Sequence, residues 1–495
     1  MNMNKGHLKS LSKDTKAVQN QHMMDFPIKV LQIGEGNFLR GFFDWMIYEC
    51  NKQGHFLGSI AVTQPRPAGK GKIEELKRQD GLYTLMLRGF HQGEKVEHPE
   101  IISVFSKVID PYDEWMEFLT LSENPALEFV VSNTTEAGIK YQPIPLEEGV
   151  PIESFPGKLT AFLYRRYLHF NGDAEKGLIM LPCELLERNG DSLKQCVLKH
   201  GSDWDLPKPF MEWVDRDNLF LNSLVDRIVT GFPANESEKL FEEWGYKDTL
   251  LNTAEPYHLW AIEGDPSIDE RLPLQKAGLN VRWVKDLVPY QMRKVRILNG
   301  SHTLMAPLGI LSGLVEVKQA IDHPDFYRYL SMAIEEEIIP TLPFAHNEMM
   351  LYGKSVLERF MNPYVHHLLA DISLNSISKF RVRLLPTLEE YYKAKGSLPD
   401  CIVRGFSGLI RFYKVYEVNG NYIGKSFTGK EYVVKDDIKT IEFFREQWLR
   451  YESGDISLLQ LIEATLSNQY LWGKDLGYIK NLGNELCLKL EEMID

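Results

Sequence analysis

The stretch KVRILNGSHT, residues 294–303, holds Lys294, Asn299 and His302 within an otherwise apolar run. Lysine and histidine can exchange a proton near neutral pH when their surroundings tune them, and an asparagine amide can donate to a developing oxyanion. At about 100° per helical residue, with Lys294 at zero, His302 falls at roughly 80° and Asn299 at roughly 140°. One broad helix face then presents a base and two hydrogen-bond donors. The same spacing also fits a core helix whose few polar groups are satisfied locally.

The edges of the run argue for a helix. Pro289 suits a first turn, where its missing N–H has no partner to lose, and Pro307 suits a stop. Gly300 in the middle costs about 1 kcal/mol relative to alanine. That cost points to close approach by a neighbouring element.

A second chemistry-bearing run is VLQIGEGNFLRGF. Gly34 and Gly36 permit a tight bend and a close backbone approach to a pyrophosphate, and a helix starting near Asn37 directs free N–H groups at that charge. Leu39 stands where the usual GxGxxG has its third glycine, so the run also fits a plain strand-turn-helix. The acidic residue expected about 20 positions on, for an adenosine ribose, is missing from SIAVTQPRPAGKGK. Arg66 and Lys70 stand there instead, which leaves NAD and NADP open on physical grounds.

These residues need elements to hold them. IKVLQIG, SIAVT, ALEFVVSNTTEAGI and GLIMLPCELL are short β-rich runs alternating with helical patterns, as in βαβ units with a mostly parallel sheet. After about residue 285 long helical patterns dominate, for example DFYRYLSMAIEEEIIPTL, MNPYVHHLLADISLNSISKF and SLLQLIEATLSN. One β-rich insertion, KVYEVNGNYIGKSF, has a turn at Asn419 and Gly420. The fold class is therefore α/β followed by a mainly helical domain, and 495 residues suffice for two or more cores.

Composition narrows the function. A net charge of −13 argues against nucleic acid as the main partner. No run approaches about 18 uninterrupted apolar residues, which argues against a membrane span. Residues 1–25 read as a polar leader without an apolar core, so a cytoplasmic location is expected. Cys50, Cys183, Cys196, Cys401 and Cys487 are far apart and read as reduced thiols. Histidines do not cluster with acids at metal-ligand spacing, so no metal is expected. Oligomeric state is not legible.

GEGNFLRGF (34–42), QDGLYT (79–84), SNTTEAG (132–138), PCELLERNG (182–190), NSLVDRIVTG (222–231) and the KxxxxNxxH of Lys294, Asn299 and His302, taken in this order, resemble the polyol-specific long-chain dehydrogenases, the mannitol dehydrogenase family. The resemblance runs from about residue 27 to beyond 390, and six ordered motifs are far more specific than one. Several of the runs, with NPYVHHLLADISLNSISKFRVRLLP, look most like members acting on sugar acids of hexuronate catabolism.

The resemblance implies a Rossmann-type domain at 26–285, a helical substrate domain at 286–495, a cleft between them, NAD as cofactor and no metal. It places the catalytic lysine on Lys294 and the polarising pair on Asn299 and His302, with Gly34, Gly36, Asn37, Phe38 and Arg40 toward the cofactor. Arg293 and Arg296 flank the lysine and are expected to lower its pKa. Two positions depart from the family pattern: Leu185 follows Cys183 and Glu184 where an asparagine donor is usual, and Gln291 follows Tyr290 where an acid is common. A sugar-acid substrate carries a carboxylate, for which Lys379 and Arg383, four apart on one helix face, and Arg359 behind them are the candidates.

Overall fold

The computed structural model describes residues 8–16, 25–134 and 137–494. The chain divides into two units, one of residues 1–88 and 95–287 and one of residues 89–94 and 288–495.

The first unit is organised by six parallel strands: β1 (Ile28–Ile33), β2 (Ser59–Thr63), β3 (Phe105–Ile109), β4 (Phe129–Ser132), β5 (Ile179–Pro182) and β6 (Leu219–Phe220). Their order across the sheet is β3-β2-β1-β4-β5-β6, the doubly wound dinucleotide-binding arrangement. These strands read as nearly unbroken apolar runs because both sheet faces are covered. Alternate side chains serve two cores. Val30, Val62 and Val131 pack on one side with Phe43 and Met46 of the helix Phe43–Lys52. Leu31, Ile33 and Val130 pack on the other with Leu159 and Phe162 of Phe155–His169.

Ile33 at the end of β1 lies opposite Thr63 of β2 on one side and Ser132 of β4 on the other. The order in which successive strands are added reverses between β1 and β4, and the crevice at such a switch point is where this architecture takes its ligand.

Residues 8–16 do not behave as a polar appendage. Leu11 is fully buried with Leu82 and Tyr246, and its N–H donates to Lys247 O at 2.7 Å. Most of the remaining leader lies outside the described residues.

The second unit is mainly helical. One rod runs from Val288 to Leu311, α-helical over Val288–Arg293, a wider π turn over Lys294–Asn299, and α-helical again over Gly300–Leu311. Pro307 does not stop it. The missing proline N–H removes a bond to the Thr303 carbonyl, but the rod is buried on nearly all sides and packing carries it past. It lies tightly against the helix Asp400–Phe412, whose Gly408 leaves room for Leu308: a Cβ there would sit 2.3 Å from Leu308 Cδ2. Glu337 fixes that partner helix by accepting from the N–H groups of Cys401 and Ile402 at 2.7 and 2.9 Å.

The β insertion is an antiparallel sheet of Val415–Val418, Asn421–Lys425 and Glu431–Val434. Asn419 and Gly420 both have positive φ, as a two-residue hairpin turn requires. NPYVHHL is not helical, and helix resumes only at Leu369–Ile372 and Ser376–Arg383.

Candidate functional site

In the first unit the glycine turn sits at the switch point. Gly34 has φ +138°, and a Cβ there would meet Asn133 O at 2.9 Å, so only glycine fits. Gly36 faces open space, with nothing within 4 Å of the position its Cβ would take. A bare backbone with an open face is what a pyrophosphate needs in order to approach main-chain N–H groups, so the turn fits a dinucleotide.

The helix after the turn is shorter than its pattern suggests. It covers Asn37–Arg40, breaks at Gly41 and Phe42, and resumes at Phe43. Gly41 is needed because a Cβ would sit 2.8 Å from Val229 Cγ1. Arg40 was expected to face the cofactor, but its guanidinium is buried and turned into the protein. It donates to Glu35 O at 3.2 Å, to Leu250 O at 2.5 Å and to Asn37 Oδ1 at 2.8 Å, and it lies over the Tyr83 ring. Asn37 thereby has its amide oxygen occupied, and Phe38 stacks on Phe42.

The other family-like runs in this unit brace the turn. Tyr83 of QDGLYT donates from its hydroxyl to Arg40 O at 2.7 Å. Arg227 of NSLVDRIVTG donates to Gly41 O at 2.9 Å and to Glu255 O at 2.8 Å. Glu184 accepts from Thr134 N at 2.9 Å and from the hydroxyls of Thr134 and Ser132, tying PCELLERNG to SNTTEAG. Burial pushes its carboxyl above the ordinary value, with those donors opposing. Leu185 beside it is exposed, and Thr135 and Glu136 of SNTTEAG lie outside the described residues.

In the second unit the rod carries Lys294, Asn299 and His302. The π turn spanning Lys294–Asn299 bonds i to i+5 and so advances less than the α-helical angle per residue. Relative to a regular helix, this swings Asn299 and His302 back toward the side of Lys294. The close approach inferred at Gly300 is made by Leu384, whose Cδ2 would lie 3.2 Å from a Cβ there.

His302 lies in a ring of basic groups. Its imidazole sits against Phe360, centroids 4.4 Å apart, and edge-on to His367 at 4.9 Å. Nε2 is buried and has no hydrogen-bond partner among the described residues. Burial holds the imidazole well below its ordinary pKa, and His367, Arg359, Arg383 and Lys379 add to the effect. A neutral imidazole therefore stands in a positive field. Lys379 donates to Ile372 O at 2.7 Å, and burial, then Arg383, lowers its pKa. Arg359 is buried on the helix His346–Phe360.

Sequence spacing had not singled out His367 or Thr303 for this site. His367 was visible only as half of an HH pair, and Thr303 carried no signal. The expected action of Arg293 and Arg296 on Lys294 is corrected by their partners. Arg293 pairs with Glu348 at 3.3 Å and lies over the rings of Tyr290 and Tyr352. Arg296 grips Glu390 with both terminal nitrogens. Lys294 itself is half-buried between them.

Comparison with known proteins agrees with this division. Residues 28–276 match the model of the mannitol dehydrogenase Rossmann domain, and residues 286–494 match that of the mannitol dehydrogenase C-terminal domain. Altronate oxidoreductase of Bacillus subtilis (strain 168) is 43% identical over 472 residues, 95% of this chain and 94% of the relative. The altronate oxidoreductase of Yersinia enterocolitica is 40% identical, covering 95% of each. Among solved structures, a substrate-free D-sorbitol dehydrogenase aligns with TM-score 0.75 at 21% identity, over 94% of this chain and 93% of that one. Pseudomonas fluorescens mannitol 2-dehydrogenase, in a ternary complex with NAD and D-mannitol, aligns with TM-score 0.62 at 20% identity, over 99% and 95%. With both halves matched in order and curated relatives similar along nearly their whole length, the chain belongs to the mannitol dehydrogenase family.

Proposed function

We propose that the protein is an NAD-dependent tagaturonate reductase, interconverting D-tagaturonate and D-altronate without a metal. The observation that carries this reading is the buried, neutral, unpartnered His302 Nε2 in a field of Arg359, Arg383, Lys379 and His367. A polarising donor and a set of cations together suit a substrate having both a carbonyl and a carboxylate. The altronate oxidoreductases, similar to this chain over 94–95% of their length, support that substrate class.

Bound NAD supplies the hydride acceptor for oxidation, and NADH the donor for reduction. The remaining work belongs to side chains. In reduction, Asn299 and His302 donate to the carbonyl oxygen as negative charge develops on it, and Lys294 Nζ delivers the proton that makes the alcohol. In oxidation the lysine accepts that proton. Because His302 is neutral, it can donate a hydrogen bond without supplying a full positive charge, so the proton shuttle rests with Lys294. Arg383, Lys379 and Arg359 meet the carboxylate, the charge-assisted contact with the best geometry being that of an arginine.

Among the described residues no group of three or more His, Cys, Asp and Glu could hold a metal ion, and the lysine, amide and imidazole supply the polarisation. The direct test is NADH oxidation with tagaturonate, fructuronate and fructose side by side. Tagaturonate should give the highest kcat/KM. A fructuronate preference would reassign stereochemistry, and a fructose preference would remove the carboxylate from the reading.

A further inference from the structure

The acid that a dinucleotide fold usually places at the end of its second strand is missing here, since the residues after β2 run Gln64-Pro65-Arg66-Pro67-Ala68-Gly69-Lys70. An acid nevertheless reaches that place from the other side. Glu35, the residue between Gly34 and Gly36, extends its carboxylate over the turn after β2: a Cβ built on Gly69 would lie 2.6 Å from Glu35 Oε1 and 2.7 Å from Gln64 Cβ. Gly69 has ordinary right-handed backbone angles, so its lack of a side chain serves space and not conformation. The space it leaves is taken by the Glu35 carboxylate.

We infer that Glu35 is the residue that accepts hydrogen bonds from the adenosine-ribose hydroxyls of NAD and turns away a 2′-phosphate. The inference deepens the reading of the first unit as an NAD site and rests on it. Three observations converge. Glu35 belongs to the turn whose bare backbone fits the pyrophosphate, so its side chain starts one residue from the cofactor. No hydrogen bond from another side chain to its carboxylate is found among the described residues; burial raises its pKa from the ordinary value, opposed by its own backbone N–H and then by Lys72, Arg40 and Arg66. The loop it faces is firmly held: Lys158 donates to Pro65 O at 2.8 Å, and Gln64 donates to Asp110 at 3.1 Å.

The same geometry explains why nearby cations do not make a 2′-phosphate pocket. Lys70 is paired with Asp113 at 2.6 Å. Arg66 and Lys72 stand beside a carboxylate that would be driven against the phosphate, and like charges at close range oppose binding strongly.

The test is binding without turnover. Full-length protein is titrated with NADH and separately with NADPH, following reduced-nicotinamide fluorescence with no substrate present. Wild type should bind NADH more tightly. Glu35→Gln, with unchanged melting temperature, should weaken NADH by roughly ten- to a hundred-fold, the value of a charge-assisted hydrogen bond, and leave NADPH unchanged or tighter. If Glu35→Gln does not fold, Gly69→Ala serves instead, because its methyl group displaces the carboxylate and should produce the same selective loss. A retained NADH-to-NADPH ratio in the variant, whether both affinities hold or both fall together, would overturn the assignment and leave Glu35 as a brace for Lys72 and Arg66. A wild-type preference for NADPH would overturn the NAD reading itself.

Discussion

Arg383 donates from Nη1 to the hydroxyl of Thr303 at 3.1 Å, and from the same nitrogen to the Asn299 carbonyl at 3.4 Å. A side chain proposed for the substrate carboxylate is thus also tied to the backbone of the residue proposed to polarise the carbonyl. Arg383→Ala should lower kcat/KM for tagaturonate by roughly ten- to a hundred-fold, as expected for one charge-assisted hydrogen bond. Steady-state kinetics on tagaturonate and a neutral ketose separate the two contributions. A loss confined to the acid reports the carboxylate contact, and equal losses would reduce Arg383 to a support for Asn299.

Lys294→Ala should lower turnover by about 10² to 10⁴ in both directions, the usual range for removing a general acid or base. NADH affinity, read by fluorescence titration, should stay near wild type, because the lysine acts on the substrate proton. Wild-type kcat in the variant would refute the proton-shuttle role.

His302 is held neutral far below the pH at which a free imidazole protonates. Unfolded, the same residue takes up a proton near pH 6.5. Between those two pKa values the unfolded chain binds a proton that the native state does not, so this group lowers stability as pH falls through about 6.5 and adds no dependence above it. Urea melts from pH 5 to 8 should show a flatter acid limb for His302→Asn than for wild type. Identical limbs would mean that the imidazole is solvated and charged.

Lys158 gives the opposite side of neutrality. It is fully buried, donates to Pro65 O, Tyr112 Oη and Glu153 O, and burial lowers its pKa to about 7. An unfolded lysine keeps its proton to about pH 10.4. Stability from this group therefore rises between about pH 7 and 10, by an amount on the order of a few kcal/mol. Lys158→Met should remove that rise in denaturant melts at pH 7, 8 and 9.

Exhaustive treatment with a chelator should leave turnover unchanged. Loss of activity that returns on adding zinc, with a matching stoichiometry by metal analysis, would contradict the metal-free mechanism.

The glycine turn and the strands around it were legible because they depend on local rules. Val30 and Leu31 alternate between two buried faces, Gly34 must accept a positive φ, and these demands are written in residue type. The helix that follows was not, since its break at Gly41 is imposed by Val229, nearly 190 residues away. Arg40 shows the same limit. Its place in the motif puts it toward the cofactor, whereas Leu250 O, Asn37 and Glu35 O claim its guanidinium through the fold.

Around His302 the types were legible and the environment was not. Lys379 and Arg383 could be paired by their spacing of four, but His367 enters from an irregular segment that the apolar pattern made look helical. Arg293 and Arg296 look like cations bearing on Lys294 until Glu348 and Glu390, both distant in sequence, are seen to neutralise them.

The π turn at Lys294–Asn299 sets the phase between the two halves of one rod. The wider turn absorbs about one residue's 100° of rotation, so deleting a single residue there would restore an uninterrupted α-helical ladder with the two halves close to their present phase, whereas a second deletion would turn everything beyond it by about 100° relative to what precedes it. Gly300 and Leu308 are locked against Leu384 and Gly408, so after that second deletion the C-terminal half would keep its seating and Lys294 would swing away from His302. Changes of length in this segment are therefore filtered by number: the turn can lose the one residue that makes it wide and keep Lys294 and His302 in phase, but a further loss would cost the chemistry while the fold survived.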